Sequence, residues 1–291
     1  MGRMATVRGT THTYVDSDGV TIHFTRWASP KPVAVAQISH GQGDHRGRYE
    51  QLAQYLVGRG FTVYADDHRG HGETGLRQWN GRVDKFGYLG PRGVNGAIDS
   101  INQMTRIARS ENPGLPLTFL GHSMGSLLGQ IALDSGTLDA NLVVWSGTAL
   151  RTLLTMNGGN LNAKHAHLGT TGNEWLSRDV SVHHAFAKDP FTFSANAMKQ
   201  FGVRGALQLL GTPKPPTRDV PILMLQGEDD SLGNEKSVVA LADRYVKVGY
   251  SDVTLISYQG ARHEVYNETN RDEVFADLSA WLAERLRSIP A

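Results

Sequence analysis

A layered α/β fold, in which a mostly parallel sheet is flanked by helices and interrupted by a helical insertion, is predicted by three observations. Short apolar runs alternate with stretches of helical periodicity along most of the 291-residue chain. One run, Leu117-Thr118-Phe119-Leu120, passes directly through Gly121-His122-Ser123-Met124-Gly125 into the helix-like Leu127–Leu133, giving strand, tight turn and helix. Between Gly147 and Pro221 the alternation lapses for about 70 residues, too many for a plain loop in a compact domain.

The elements follow in order. Thr11–Val15 and Val20–Trp27 flank Asp16-Ser17-Asp18-Gly19, whose Asp-Gly step is a strong hairpin signal. The apolar run Val33–Ser39 leads into His40-Gly41-Gln42-Gly43, and a helical stripe of Tyr49, Leu52, Ala53 and Leu56 ends at Gly58 and Gly60. Phe61–Ala65 reads as a strand ending in the loop Asp66–Gly72. Ile98, Ile101, Met104, Ile107 and Ala108 lie on one face of a long helix that Asn112-Pro113-Gly114 terminates. Leu142–Trp145, Pro221–Gln226 and Val253–Tyr258 supply further strands, and Val274, Phe275, Leu278, Trp281, Leu282 and Leu286 recur at helical spacing in a closing helix. Residues 1–147 and 216–291 are thus expected to form the core, and residues 148–215 a cap, or lid. Within the insertion, helical patches are expected around Trp175-Leu176, Ser181–Lys188 and Ala195–Leu210, after a mobile Met156–Asn162 opening.

The chemistry is read from loops that follow strands. A turn as tight as Gly121–Gly125 strains the serine backbone and presses strand against helix, which suits glycine on both sides and projects the Ser123 hydroxyl above the carboxyl end of the sheet. A hydroxyl is a weak nucleophile at neutral pH and needs a base, which in turn needs an anionic partner. Downstream, one strand ends in Gly227-Glu228-Asp229-Asp230 and the next leads to His263, the only histidine beyond that acidic cluster. This is the order nucleophile, acid, histidine. Donors for a developing oxyanion are expected from the backbone amides of Met124, after the nucleophile, and of Gln42, between two glycines.

Together, His40–His45 with Arg48-Tyr49, Asp67–Gly72, Gly121–Gly125, Gly227–Asp230 and His263–Glu268 resemble the monoglyceride lipase and lysophospholipase-like family of serine hydrolases. The resemblance covers most of the chain outside roughly residues 148–215 and implies an α/β-hydrolase fold. It further implies ester hydrolysis through an acyl-serine by Ser123, Asp230 and His263, with Gln42 and Met124 as oxyanion donors and a cap admitting one acyl chain. Asp230 is preferred to Asp229 because the fourth residue of a strand-ending G-x-x-D points toward the histidine loop in this family. Ser126 stands where the family often has glycine, and Ser231-Leu232-Gly233-Asn234 replaces a more apolar stretch. The expected activity is a carboxylic-ester hydrolase for monoacylglycerol-like lipids, with a lysophospholipase, a small-ester esterase or a non-catalytic receptor as alternatives. Leu150, Leu154, Phe186 and Met198 are the candidate cap residues for substrate binding.

Composition narrows the partners. With 29 Lys+Arg against 28 Asp+Glu, the chain lacks the charge excess of a nucleic-acid binder. No cysteine is present, which excludes disulfides and thiol nucleophiles. His165, His167, His183 and His184 lack metal-ligand spacing, and the Asp66–Gly72 loop reads as structural, so neither metal nor cofactor is expected. No window approaches the ~20 apolar residues of a membrane span. The polar N-terminus lacks a signal-like apolar core, so a cytoplasmic protein is expected, with at most transient membrane contact through the cap. Oligomeric state is not legible in the sequence.

Overall fold

A computed structural model of the chain describes residues 7–289. The reading that no signal sequence is present depends partly on residues 1–6, which lie outside the described residues. Eight strands form one sheet: β1 (Thr10–Val15), β2 (Thr21–Trp27), β3 (Ala34–Ser39), β4 (Phe61–Asp66), β5 (Leu117–His122), β6 (Leu142–Ser146), β7 (Ile222–Gly227) and β8 (Val253–Tyr258). Their order is β1-β2-β4-β3-β5-β6-β7-β8. The β1–β2 hairpin pairs antiparallel, β2 joins β4 antiparallel, and every later pair is parallel. The hairpin turn closes as its sequence suggests: Asp16 Oδ1 accepts from Asp18 N at 3.0 Å and Val20 N at 2.9 Å, and Gly19 takes φ +81°.

Alternation along the central strands divides the core. Val35, Phe119, Val143, Trp145, Ile222 and Met224 face one side, where they meet α3 (Gly93–Glu111), α4 (Met124–Asp134) and α7 (Glu235–Val248). Ala36, Ile38, Leu120, Val144, Leu223 and Leu225 face the other, against α1 (Glu50–Val57) and α8 (Arg271–Leu286). Central strands are therefore apolar on both faces, as parallel sheets covered by helices require.

Two helices of the core lie outside the elements read from the sequence. The α2 helix (Gly72–Gln78) has two glycines and no apolar stripe. The α7 helix does carry a stripe, Val238, Leu241 and Tyr245, between an Asn234 side-chain cap and a left-handed Gly249 at φ +109°.

The segment between β6 and β7 contains α5 (Val180–Lys188) and α6 (Ala197–Gln208), the latter kinked where Gly202 takes φ +69°. The helical patch expected around Trp175-Leu176 is a turn instead. Glu174 accepts from Thr171 N at 2.7 Å and Thr171 Oγ1 at 2.8 Å, and such local side-chain bonds compete with helix. No helix among the described residues is long and apolar enough to cross a membrane.

Candidate active site

Because β3, β5, β6, β7 and β8 run parallel, the loops after them emerge along one edge of the sheet. That edge is where α/β folds place their ligands. Ser123 follows β5 and precedes α4, with φ +50° and ψ −121°. This left-handed-side conformation is costly for a residue with a side chain and is held here by fixed neighbours. Ser123 N donates to Ser146 O at 2.9 Å and Gly125 N to His40 O at 3.1 Å. A Cβ on Gly125 would stand 2.1 Å from Ser39 O, so the elbow can close on β3 only with glycine there.

Asp230 and His263 are brought together by the loops after β7 and β8, which are themselves bonded through Asp229 N to Ala261 O at 2.9 Å. His263 Nδ1 lies 2.9 Å from each carboxylate oxygen of Asp230, and both side chains are buried. Asp230 Oδ1 also accepts from Leu232 N at 2.8 Å, which fixes the carboxylate. Asp229 points elsewhere, to Lys164 Nζ at 2.7 Å, and this hydrogen bond holds its carboxyl below the usual range. The opposite imidazole nitrogen of His263, Nε2, is buried without a hydrogen-bond partner among the described residues. Trp175 covers the His263 ring at 4.6 Å between centroids, and His122 flanks it at 4.8 Å.

The backbone amides of Gln42 and Met124 likewise find no partner within the described residues. Both residues line a cavity that also contains Ser123. A half-buried serine that lines the cleft, an imidazole polarised by a carboxylate and two free amides form a set able to carry out acyl transfer through a tetrahedral anion.

Two unlike chambers meet at Ser123. One, about 140 Å³, has a mixed lining of Asp44, His122, Asn173 and Glu264 with Leu176, Phe186 and Phe193, and His263 in its wall. The other, about 560 Å³, is lined by Met124, Leu127, Met156, Met198, Leu209 and Leu232. Of the four candidate cap residues, Phe186 and Met198 therefore face the cleft. Leu150 does not: it is buried in the core on the α3–α4–α7 side of the sheet, anchored by its amide to Ser237 Oγ at 3.1 Å. Nor does Leu154, which is 97% exposed on an outer groove, because the chain there turns outward.

Behind the small chamber stands a buried network. Arg48 donates to the two carboxylate oxygens of Glu264 at 2.6 and 2.7 Å and to Asp44 Oδ1 at 3.1 Å, while Tyr49 OH donates to Asp44 Oδ2 at 2.8 Å. Burial alone would raise the Asp44 pKa, but Arg48, His45 and the Tyr49 hydroxyl outweigh it and lower it. Burial, reinforced by neighbouring His263, brings His122 down to about 4, so its ring is neutral beside the cleft.

Arg48, Tyr49 and Glu264 all lie in the motif runs, but nothing in the sequence alone joins them into this network or marks His122 as a wall of the site and Trp175 as the cover of His263. Their signal was adjacency: each lies within the His40–Tyr49 run, beside Ser123 or His263, or in the segment over them. Ser126, the departure from glycine, is accommodated because its hydroxyl donates to Ser123 O at 2.6 Å and meets Thr148 Oγ1 at 2.9 Å.

Comparison with known proteins gives the family. Residues 30–270 match the family described as serine aminopeptidase S33. The monoglyceride lipase of Homo sapiens is 31% identical, over 93% of this chain and 89% of that protein. The monoacylglycerol lipase of Mycolicibacterium smegmatis is 29% identical, over 94% of this chain and 97% of that protein. A solved structure of a thermostable carboxyl esterase from Bacillus coagulans superposes with a TM-score of 0.81 at 23% identity, covering 96% of this chain and 99% of the esterase. The chain belongs to the serine aminopeptidase S33 family, as a monoglyceride lipase-like protein with the α/β-hydrolase fold.

Proposed function

We propose that the protein is a serine carboxylic-ester hydrolase that cleaves monoacylglycerol-like lipids. The observation that carries this reading is the meeting, at Ser123, of a mainly apolar chamber of about 560 Å³ and a smaller one of about 140 Å³ whose mixed lining includes Asp44, Asn173 and Glu264. The acyl chain enters the first, and a small hydroxylated alcohol fits the second. Ser123 Oγ attacks the ester carbonyl as His263 Nε2 takes its proton, and Asp230 holds the imidazolium in orientation. The amides of Gln42 and Met124 receive the oxyanion. His263 then protonates the departing alcohol, and water activated by the same nitrogen releases the fatty acid.

In this reading the β6–β7 segment is the cap, residues 148–215, over the core formed by 1–147 and 216–291. Phe186 lies on the alcohol side and Met198 on the acyl side. Exposed Leu153, Leu154 and Val203 on the same segment suit transient contact with a lipid surface. The family's description also raises a peptidase acting on free amino termini, which needs an unpaired carboxylate for the ammonium. Asp44 and Glu264 are carboxylates of the small chamber, and Arg48 engages both, which favours the ester.

The test is release of free acid from a monoacylglycerol chain-length series and from a lysophospholipid, with Ser123→Ala as the blank. Serine-dependent turnover of the monoacylglycerols above the lysophospholipid is the expected result. Turnover of short synthetic esters alone would reject the lipid substrate.

A further inference from the structure

The loop carrying Gln42 is tied to the β6–β7 segment at three points. Phe193 N donates to Gly43 O at 3.1 Å, His45 Nε2 lies 2.9 Å from Asp189 Oδ2, and Gln42 Nε2 donates to Gln200 Oε1. Gly43 sits at φ +77°, and a Cβ there would fall 2.1 Å from Phe193 O, so the two backbones touch with no side chain between them. Phe193 is wedged between His71 and Phe86, at ring separations of 5.1 and 5.9 Å. Residues 189–200 thus form a strap laid across the loop.

Gln200 is the polar fastening of that strap. It is 9% exposed on α6, and its Oε1 accepts from Asn196 N at 2.9 Å as well as from Gln42. Its amide carbon is also confined by Gly87, where a Cβ would stand 2.6 Å away. The Gln42 backbone amide has no partner within the described residues, so no hydrogen bond of its own aims it. Its direction is set by the Gly43 contact on one side and by its own side chain on the other.

We propose that Gln200 is a positioning residue for the oxyanion hole: by holding the Gln42 side chain it aims the Gln42 amide, so the hole is complete only while the 189–200 strap lies over the loop. This rests on the ester-hydrolase reading above. Ala195 and Met198, on the same stretch, line the larger chamber, so the element that contacts the acyl group also aims the donor that meets its carbonyl.

The experiment compares Gln200→Leu, Gln200→Glu, Gln42→Leu and the double variant Gln42→Leu/Gln200→Leu with the wild-type protein. The substrate is a short-chain ester that does not reach Met198, and the probe is a trifluoromethyl ketone that forms a tetrahedral adduct with the serine. Losing an oxyanion donor outright costs about 10²- to 10³-fold in kcat, so a mis-aimed one should cost at least about tenfold. Gln200→Leu is expected to lower kcat by that factor with KM within about twofold, and to weaken the ketone by the same ratio. Gln200→Glu keeps an acceptor for both donors and should recover most of the lost kcat. The double variant should be no worse than Gln42→Leu, since both cut one bond. Wild-type kcat in Gln200→Leu, a loss confined to KM, or failure of Gln200→Glu to recover would overturn the proposal while leaving the hydrolase reading intact. Absence of Ser123-dependent turnover in the wild-type protein would overturn both. If Gln200→Leu does not fold, Gln42→Leu severs the same bond from the other side and carries the same expectation.

Discussion

The floor of the site and the segment above it are built by different means. On the floor, Ser123, Asp230 and His263 stand on loops leaving a parallel ladder, and the elbow is locked by backbone bonds and by the contact of Gly125 with Ser39. Above, the β6–β7 segment is held mainly by side chains. Arg178 Nε reaches Glu268 at 2.9 Å, Arg151 Nη2 reaches Asp134 at 2.6 Å, and Arg262 Nη1 reaches Ser177 O at 2.9 Å. Backbone register fixes the floor, so its chemistry tolerates little change. Side-chain ties fix the segment, so substrate choice can be altered without dismantling the nucleophile.

That contrast is tested first where the effect is largest. Ser123→Ala and His263→Ala should each reduce ester turnover by at least about 10³-fold without unfolding the protein, because such groups act as a unit. Asp230→Asn should approach that loss, while Asp229→Asn, whose carboxylate pairs with Lys164 at the surface, should stay within a few-fold. Steady-state kinetics of the four variants, with circular dichroism as the folding control, decides it. The reverse ranking of the two aspartates would mean that the acid has been assigned to the wrong residue.

Next comes a stability test of the locked elbow. Gly125→Ala must push a methyl group into Ser39 O, and overpacking of this kind costs about 1–3 kcal/mol. Urea midpoints measure it, and an unchanged midpoint would show that the floor yields more than its geometry implies. The equivalent insertion above, Gly158→Ala, meets nothing within 4 Å and should be neutral.

Acid should also weaken the floor. Burial lowers His71 to about 3 and His122 to about 4, and lowers His40 as well. In the unfolded chain these rings take up protons below about pH 6.5, whereas the native rings stay neutral until much lower pH. Unfolding therefore binds protons in that window, and stability falls as pH drops from about 6.5 toward 4, by up to about 1.4 kcal/mol per pH unit per histidine. Urea titrations at pH 7 and pH 5 measure the slope, and His71→Gln should flatten it.

The smallest effects belong to the segment. Met198→Trp should shift preference toward shorter acyl chains by about tenfold, since one or two methylenes of pocket depth carry about 1–3 kcal/mol. Leu154→Ser, at a side chain outside the cleft, should change stability by no more than about 0.5 kcal/mol. Hydrolysis of a chain-length series checks the first and urea midpoints the second.

The same division explains what could be read in advance. The hairpin, the eight strands and the order serine, acid, histidine are visible because apolar runs and turn residues mark strand ends locally. Asp230 could be separated from Asp229 only through family likeness, since the choice depends on which loop meets the 261–263 backbone. The segment was harder. Leu150 and Leu154 have the composition of cleft residues, yet one is drawn into the core and the other turned to solvent. Trp175 looked helical, but Glu174 bends its backbone into a turn. Gln42 and Gln200, 158 residues apart, are brought together only by the tertiary fold.

One further consequence follows from the place of Ser123 at the start of α4. Aligned peptide dipoles leave about half a positive charge at a helix N-terminus. Here that end is buried, and no acidic residue occupies its first turn to cancel it. The field acts on the serine oxygen and on the tetrahedral anion from within the protein, where dissolved ions cannot gather to screen it. Turnover of an uncharged, soluble ester should therefore vary little between low and high salt, even though the surface ion pairs of the segment above weaken over the same range.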